Sequence, residues 1–429
     1  MLDIKLIREN PDLVQKNLEK RGNTENLAML EELISIDKQW RSDLLKLNDL
    51  RHNRKVCTTE VATLKKASKD STDAVNKAKA IDTQITDLEK QVETGEQKTR
   101  ELLLKLPNLL HDTVPFGKDD QENSIIKTWG EIQQFNFQVK NHLDIATALG
   151  IIDMERAAKV AGARFFFLKG AGVLLDMALM NFALEELNNK NYTLIEPPYL
   201  MRHEPYEGVT SLEDFVDVLY KIENEDLYLI ATSEHPMAGM YMNEVFTQDQ
   251  LPLKLAGLSA CFRKEAGAHG KDTRGIFRTH QFNKIEQFIY CTPEQSWALH
   301  EELSANVEEM LQKLELPYRI VNVCTGDIGT VAAKKYDFEA WMPAQGTYRE
   351  VVSCSNCTDY QARRLGIRYR EKTGMAPKGF VHTLNSTAIA TGRTMVAIIE
   401  NNQQPDGSIK IPKVLRKYMC NMEEIQLKR

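Results

Sequence analysis

The sequence lacks the apolar runs that secretion and membrane insertion require. No stretch approaches the roughly 18 consecutive apolar residues of a membrane span, and the most apolar candidate, residues 173–184, is interrupted by Asp176 and Asn181. The first eleven residues mix charged and apolar side chains, so they do not form the apolar core of a signal peptide. We therefore expect a cytosolic protein without a membrane partner.

Cysteine and excess positive charge are also scarce. The chain of 429 residues contains seven cysteines, an odd number that argues against a disulfide framework. Its net charge of −6 excludes a polycation that binds nucleic acid through bulk charge. Any affinity for nucleic acid must therefore come from a local basic surface. The apolar fraction of 42% and the length permit a buried core in two or three domains.

Several common binding motifs are present only as fragments. The segment GAHGK at 267–271 lacks the spacing and the Ser or Thr of a P-loop, and GAG at 170–172 is a fragment of a dinucleotide fingerprint. The segment CSNC at 354–357 has the spacing of a zinc knuckle, but no second Cys or His pair follows it. Buried thiols near a site are the favoured interpretation of this segment.

A heptad pattern runs through residues 33–106. In its second half, small or apolar residues recur at steps of four and three from position 74 to position 106, which is typical of a coiled coil. Turn-forming residues at 68–73 divide the pattern, so it predicts two antiparallel helices of roughly 30 residues, each on the order of 45 Å long. Because such a hairpin is too long to pack against a globular body, we expect it to project.

The outer part of this hairpin is basic. Residues 51–79 contain eight Lys or Arg and three acidic residues, a net charge of +5. These charges fit the solvated faces of any coiled coil, and they also fit an RNA-binding arm that neutralises phosphates. The residues that would bind RNA are Arg51, Arg54, Lys55, Lys65, Lys66, Lys69, Lys77 and Lys79.

Composition divides the chain into three parts. We predict an N-terminal helical arm over 1–106, a non-periodic linker over 107–135 and a catalytic body over 136–429.

The body combines strands and helices. Its strand-like runs at 164–168, 228–230 and 284–290 accompany amphipathic helices such as 294–314. The runs cluster in pairs across loops instead of alternating regularly with helices. This arrangement favours an α+β fold in which helices pack against an antiparallel sheet.

Polar residues suited to a nucleotide lie on two predicted strands separated by a glycine-rich loop. Arg263 and Glu265 are two residues apart and share one face, as do Phe282, Lys284 and Glu286. Guanidinium groups suit phosphates, a ring can stack on a base, and a carboxylate can accept an amino group. The alternative interpretation is a surface hairpin with scattered charges.

A second candidate for phosphate binding lies near the C-terminus. Arg393 follows Gly392 at the start of an apolar helix, where an arginine adds to the positive end of the helix dipole. Arginines at helix starts are also often ordinary surface residues.

Three segments resemble, in order, the three signature motifs of class II aminoacyl-tRNA synthetases. They are YTLIEPPYL at 192–200, FRKE at 262–265 with its loop and Phe282, and GRTMVAIIE at 392–400. Further segments are similar to the seryl enzymes specifically, as is the N-terminal hairpin. These segments are TSE at 232–234, HQFNKIE at 280–286, REVVSCSNCTDYQARR at 349–364 and NST at 385–387. The resemblance covers essentially the whole chain.

The resemblance to seryl-tRNA synthetases implies a fold, an activity and partners. The fold is an α+β body with the class II antiparallel sheet flanked by helices, preceded by an antiparallel coiled-coil hairpin. The activity is ATP-dependent conversion of L-serine to seryl-adenylate and transfer of serine to the 3′-terminal ribose of tRNA(Ser). ATP, Mg²⁺, tRNA(Ser) on the arm and a homodimer through the first motif are implied as well. Whether tRNA(Sec) is also charged stays open.

The resemblance also implies roles for individual residues, with Arg263 and Arg393 as the catalytic pair and Glu350 and Ser353 as the Mg²⁺ ligands. The residues expected to contact ATP are Arg263, Glu265, Arg278, Phe282, Glu350, Ser353 and Arg393. Those expected to contact serine are Thr232, Glu234, Arg263, Glu286, Asn385 and Thr387. Many seryl enzymes have glycine at the position of Ser386, so Ser386 and Thr387 are alternatives for the hydroxyl that faces the substrate.

Other functions fit parts of the pattern. A synthetase for threonine or proline would share the three motifs, but the seryl-type arm and the roughly 30 residues after the third motif, too few for an anticodon domain, argue against it. A non-catalytic, RNA-binding paralogue usually loses motif arginines, whereas Arg263 and Arg393 are both present. A simple coiled-coil scaffold would not need the body at all.

Overall fold

The computed structural model describes residues 1–210, 217–265 and 274–427. The chain divides into a helical unit, Met1–Leu109, and a sheet unit, Leu110–Arg429. Within the described ranges, no helix has both the length and the apolar character needed to cross a membrane. Most of the predicted glycine-rich loop, including the segment at 267–271 that lacks P-loop spacing, lies outside the described residues.

The helices are numbered α1 to α13 in chain order. The helical unit contains α1 (Ile4–Glu9), α2 (Pro11–Glu19), α3 (Thr24–Lys66) and α4 (Thr72–Lys105). The sheet unit contains α5 (His142–Ala148), α6 (Met154–Ala161), α7 (Ala171–Asn189), α8 (His203–Val209), α9 (Glu234–Gly239), α10 (Ser296–Lys313), α11 (Tyr360–Leu365), α12 (Thr391–Asn401) and α13 (Lys413–Arg416).

The strands are numbered β1 to β17 and all lie in the sheet unit. They are β1 (Ser124–Trp129), β2 (Ile152–Asp153), β3 (Phe167–Leu168), β4 (Thr193–Ile195), β5 (Leu200–Met201), β6 (Tyr228–Leu229), β7 (Val245–Thr247), β8 (Leu253–Phe262), β9 (Gln281–Cys291), β10 (Tyr318–Asn322), β11 (Lys334–Met342), β12 (Thr347–Asn356), β13 (Arg368–Arg370), β14 (Gly379–Phe380), β15 (His382–Ala390), β16 (Ile409–Lys410) and β17 (Glu424–Ile425).

The helical unit is dominated by the hairpin of α3 and α4, which pack against each other along their length. Small residues let the helices approach closely: a Cβ added to Gly95 would lie 3.1 Å from the ring of Trp40. Cys57, Ala78 and Ile81 form a buried cluster at the seam. The helix α4 ends at Lys105, and the next residue, Leu106, has the extended backbone expected of a residue before proline.

The helix α3 is longer than the sequence predicts. It has 43 residues and begins at Thr24, where the side chain of Asn23 caps it by accepting a hydrogen bond from the backbone N–H of Glu25. It also packs against α2, and its Asp37 accepts hydrogen bonds from Arg8 of α1. A heptad criterion misses these first turns because the short helices supply part of their packing.

A large sheet organises the other unit. Among the described residues, eight strands pair in the order β1-β10-β11-β12-β15-β9-β8-β4. All neighbours are antiparallel except β4 and β8, which are parallel. The helices α7, α10 and α12 pack on the sheet around one large apolar core. The predicted antiparallel sheet flanked by helices is confirmed.

Two local predictions need correction. The strand-like run at 164–168 is a strand only at Phe167–Leu168, because Arg164 adopts a left-handed backbone conformation with φ of 60°. The region predicted as linker contains β1, which pairs with β10 at the edge of the main sheet. Five of its six residues are exposed, so it has no alternation of buried and exposed positions that a sequence pattern could detect.

Candidate active site

A cavity of about 340 Å³ opens on one face of the main sheet. Every residue that the sequence predicts to contact ATP or serine lines it. These residues are Thr232, Glu234, Arg263, Glu265, Arg278, Phe282, Glu286, Glu350, Ser353, Asn385, Thr387 and Arg393. They come from segments spread over more than 160 positions of the chain, so the fold brings together what the sequence keeps apart. The predicted RNA-binding residues belong to the helical unit, on α3, α4 and the turn between them.

Antiparallel pairing explains much of this convergence. On β9, Phe282, Lys284 and Glu286 alternate with residues of the opposite face, so they form a row along the cavity. The neighbouring strand β15 places Thr387 directly opposite Glu286. The side-chain oxygen of Thr387 donates a hydrogen bond of 3.0 Å to Glu286 Oε2.

A β-bulge aligns the two predicted metal ligands. On β12, Val352 pairs with Phe338 of β11 and Glu350 pairs with Glu339, so Val351 is an extra residue in the ladder. The bulge changes the alternation of the strand, and Glu350 and Ser353, three residues apart, both line the cavity.

At one end of the cavity lies a polar cluster around Glu234. Its Oε1 accepts hydrogen bonds of 3.2 Å from both Asn385 and Gln361. Burial, together with the nearby charge of Glu286, raises the pKa of Glu234 to about 7. Burial, with the charges of Lys284 and Arg263, lowers the pKa of the adjacent His235 to about 3, so that imidazole is neutral. This end can therefore receive both a cationic group and a hydroxyl.

Arginines line the rest of the cavity. Arg263 donates from Nε to the backbone oxygen of Ala231 at 3.2 Å, and its guanidinium lies 5.3 Å from the ring centre of Phe282. This backbone contact fixes the guanidinium beside the ring. The sequence predicted that Arg263 and Glu265 share a strand face, but β8 ends at Phe262 and Glu265 has a φ of 51°. Both residues reach the cavity, although regular strand alternation is not the reason.

The two other predicted phosphate ligands are paired with carboxylates inside the cavity. Arg278 lies 3.3 Å from Glu265, and Arg393 lies 3.1 Å from Glu350. Desolvation opposes ionisation of Glu350, but Arg393 and Lys335 outweigh it and hold the pKa of Glu350 below its usual value. A phosphate ligand would compete with these carboxylates for the two guanidinium groups.

Glu350 and Ser353 offer the kind of site that Mg²⁺ uses in nucleotide complexes. Both present oxygen atoms to the cavity, and nearly half of the Glu350 side chain is exposed there. Within the described ranges there is no cluster of three or more His, Cys, Asp or Glu arranged to hold a metal. A site with one carboxylate suits Mg²⁺, which keeps waters and takes further ligands from phosphates.

Several residues of the site were not predicted. Phe277 lines the cavity, and the guanidinium groups of Arg349 and Arg393 lie 4.3 and 5.2 Å from its ring centre. Lys335 and Asp337 line a second cavity of about 590 Å³, which shares five residues with the first. The alternation of polar side chains along β11 was an available signal for these residues. It could not have revealed Phe277, which lies outside a strand.

The cysteines at 354 and 357 are buried thiols. The amide of Asn385 donates a hydrogen bond of 3.5 Å to Cys357 Sγ. Burial raises the pKa of both thiols, as expected for a weakly polar side chain in an apolar environment.

Comparisons with known proteins agree in their assignment. Residues 1–110 match the family described as "Seryl-tRNA synthetase N-terminal domain", and residues 218–402 match "tRNA synthetase class II core domain (G, H, P, S and T)". A "Serine--tRNA ligase" from Methanocella arvoryzae is 55% identical over 423 residues, which is 99% of this chain and 100% of that protein.

Solved structures give the same result. Seryl-tRNA synthetase from Pyrococcus horikoshii, complexed with ATP, is 50% identical and superposes with a TM-score of 0.96 over 100% of both chains. A cytoplasmic serine–tRNA ligase from Naegleria fowleri, in complex with AMP, is 35% identical with a TM-score of 0.91 over 100% of this chain and 99% of that one.

Proposed function

The chain belongs to the seryl-tRNA synthetase family of class II enzymes, and from this premise we propose that it activates L-serine with ATP and transfers the seryl group to the 3′-terminal ribose of tRNA(Ser). The observation that carries the proposal is the single cavity that contains all residues expected to contact ATP or serine. The serine carboxylate attacks the α-phosphorus and pyrophosphate leaves. A ribose hydroxyl then attacks the seryl carbonyl and AMP leaves.

Both nucleophiles belong to the substrates, so the protein contributes position and charge. Arg263 contacts the α-phosphate and the serine carboxylate, where negative charge develops during attack. Its bond to the backbone of Ala231 supports this role because a guanidinium held in advance needs little rearrangement in the transition state. Arg278 and Arg393 hold the β- and γ-phosphates after releasing Glu265 and Glu350.

The adenine base and Mg²⁺ bind to other side chains of the same cavity. Phe282 stacks on the adenine. Glu265, once released by Arg278, accepts a hydrogen bond from the adenine amino group. Glu350 and Ser353 would hold Mg²⁺, which supplies charge neutralisation on the phosphates when bound. The exposure of Glu350 to the cavity supports this assignment.

Serine occupies the polar end of the cavity. Glu234 and Thr232 bind its ammonium group, and Glu286 and Thr387 bind its hydroxyl. The hydrogen bond from Asn385 holds Glu234 in place. The hydrogen bond from Thr387 to Glu286 supports Thr387 over Ser386 as the hydroxyl in contact with the substrate. Ser386 instead donates to the backbone oxygen of Thr387.

The hairpin of α3 and α4 binds tRNA through its basic residues. Within the described part of the chain, Arg51 and Arg54 form ion pairs with Glu89 and Asp82 of α4. Among the residues that the structure describes, no acidic side chain forms an ion pair with the remaining six predicted contacts, so they can bind phosphates without breaking one. These six are Lys55, Lys65, Lys66, Lys69, Lys77 and Lys79.

We also propose a homodimer through the first motif. Large apolar side chains are exposed in and around it: Val173 and Met177 lie one turn apart on α7, and Leu194 lies on β4. Met177 is 49% exposed. Exposed apolar side chains that lie close together commonly mark an interface, and sedimentation analysis of the full chain measures whether it dimerises.

The function is tested by pyrophosphate exchange with each of the twenty amino acids. We expect exchange that depends on serine and on Mg²⁺, with far weaker activity for every other amino acid. A chain that exchanges best with threonine or proline, or with none, contradicts the proposal. Aminoacylation of tRNA(Ser) and tRNA(Sec) transcripts in parallel determines which RNA is charged.

A further inference from the structure

Lys284 is a buried cation in the cavity for which the family resemblance supplies no role. It lies two residues from Glu286 on β9, and both side chains face the cavity. Its Nζ is 2.6 Å from Glu286 Oε2, and the two side chains are only 6% and 2% exposed. A lysine this deeply buried requires a partner, because removing an ammonium group from water is costly.

The contacts of Glu286 are concentrated on one of its oxygens. Within the described residues, Oε2 receives both the ammonium of Lys284 and the hydroxyl of Thr387, at 2.6 and 3.0 Å. The other oxygen, Oε1, is thereby left for a ligand in the cavity. An ionised carboxylate is an acceptor without a proton, so the group that Oε1 binds must be a donor.

Lys284 is the cation that compensates the negative charge buried around Glu286. Glu234 is a second buried carboxylate close enough to interact with Glu286 electrostatically. Neighbouring buried carboxylates repel each other, so a cation in contact with one of them stabilises the arrangement. Lys284 and Arg263 are cations near this pair, and among the described residues Lys284 is the one that forms an ion pair with Glu286.

We propose that Lys284 determines specificity by holding Oε2 of Glu286 in its ion pair, so that Oε1 of Glu286 is positioned to accept the hydroxyl of serine. This inference rests on the proposed function. Lys284 is a positioning residue that acts through Glu286 without touching the substrate. A site that binds a hydroxyl through a buried acceptor rejects an analogue without it, because the acceptor is then left unpaired. Alanine is the analogue that tests this.

The central variant is Lys284→Met, which keeps the length of the side chain and removes its charge. In pyrophosphate exchange, we expect the KM for serine to rise about ten- to a hundredfold, as expected for weakening a hydrogen bond to a charged group. The KM for ATP should stay within about twofold of wild type. The preference for serine over alanine should fall by about the same factor as the affinity for serine.

A matched control comes from the next strand of the sheet. Lys254 of β8 also forms an ion pair of 2.6 Å, with Glu302, but lies outside the cavity. Lys254→Met should leave both KM values and the serine preference unchanged. If Lys284→Met behaves like this control, Lys284 is only structural and the proposal is wrong.

A second comparison covers the case in which Lys284→Met does not fold. Glu286→Gln removes the charge that needs a partner, so Glu286→Gln and the double variant Lys284→Met/Glu286→Gln are compared by serine KM. If Lys284 acts through Glu286, the second substitution adds less than about twofold. A further tenfold loss would overturn the proposal, because Lys284 would then act independently of Glu286. Failure of the wild-type chain to exchange with serine would instead refute the proposed function itself.

Discussion

Ion pairs in the helical unit and in the sheet unit have similar lengths but very different surroundings. Arg51 and Glu89 of the hairpin are 2.8 Å apart and about half exposed, whereas Lys284 and Glu286 are 2.6 Å apart and almost fully buried. Water and salt screen the first pair, so each of its members can be replaced at little cost. The second pair cannot lose one member without leaving an uncompensated charge in the interior.

This difference indicates how the two units divide their work. The hairpin distributes many weak, interchangeable charges over an exposed surface, which suits a long phosphate backbone. The cavity concentrates a few charges whose positions are fixed by the sheet, which suits a small substrate and a defined reaction. The effect of substitutions in the hairpin should therefore depend on how many charges are removed. The effect of substitutions in the cavity should depend on which residue is replaced.

The largest expected effect comes from removing the outer part of the hairpin, which should affect aminoacylation of tRNA but not pyrophosphate exchange. Deleting residues 51–79 and rejoining α3 and α4 with a short turn removes all eight predicted RNA contacts. Aminoacylation of tRNA should fall on the order of 10³-fold or more at physiological salt, because the positioning phosphate contacts are lost. Serine-dependent pyrophosphate exchange should stay near the wild-type rate. A truncated chain that charges tRNA normally would refute the RNA-binding role of the hairpin.

A single change in the cavity should have the next largest effect. Arg263→Ala should lower the rate of pyrophosphate exchange by about 10²–10³, the usual effect of losing one preorganised donor. The melting temperature should change little, since Arg263 contacts a backbone oxygen rather than the apolar core. Arg368→Ala, on the exposed part of β13, serves as the control. Exchange within tenfold of wild type in a folded Arg263→Ala variant would exclude the catalytic role.

Removing one basic or one acidic side chain from the hairpin should change tRNA binding slightly and in opposite directions. Lys66→Ala removes one expected phosphate contact, so the slope of log K for tRNA binding against log salt should become shallower by about 0.7–0.9. Asp82→Asn should strengthen binding by a few-fold, because it releases Arg54 and removes a negative charge. Filter binding at several salt concentrations measures both. Equal slopes for wild type and Lys66→Ala would argue that Lys66 does not contact a phosphate.

The smallest expected effect concerns a charge that the helical unit does bury. Burial alone would raise the pKa of Asp37, but hydrogen bonds from Arg8 and Arg41 outweigh it and lower that pKa. A carboxylate with a lowered pKa stabilises the fold above its unfolded pKa of about 4, and this contribution is lost as the pH falls through the folded value. Asp37→Asn should cost about 1 kcal/mol at pH 7, because both arginines are partly exposed.

Hydrogen exchange of the amides in α1 and α2 measures this contribution within the full chain. The difference between wild type and Asp37→Asn should be present at pH 7 and shrink below pH 4. Asp49→Asn, an exposed position of the same helix, should show no difference at either pH. A difference that persists unchanged into acid would mean that the charge of Asp37 is not its cause.

The hairpin and the site were predictable from the sequence for different reasons. The heptads of α4 predict its packing directly, because residues at steps of four and three all face the neighbouring helix α3. Strand alternation indicated part of the cavity, but its full set of residues followed from the resemblance, since no local pattern relates Thr232 to Arg393. What local patterns missed lies where pairing is irregular or distant. The strand β1 is almost wholly exposed, and Glu265 follows the end of β8 in a left-handed conformation.

Lys284 illustrates a further limit of sequence reasoning. Its place in a row with Phe282 and Glu286 was evident from strand alternation, but its partner was not. Only the fold shows that its ammonium meets the same oxygen as Thr387 of a neighbouring strand. The role of such a residue depends on a third side chain from another strand, and a pattern within one strand cannot contain that information.

The extra residue at Val351 makes the cavity sensitive to the number of residues between Glu350 and Ser353. Removing Val351 would restore the regular ladder and leave these two residues two positions apart, where they still share one face of the sheet. Inserting one more residue between them would instead turn either Glu350 or Ser353 to the opposite face, so activity should survive the deletion better than the insertion. Substitution of Val351 by another apolar residue should be tolerated, because the number of residues, not the side chain, sets the alternation. The number of residues in this strand thus determines whether the two predicted ligands face the same cavity.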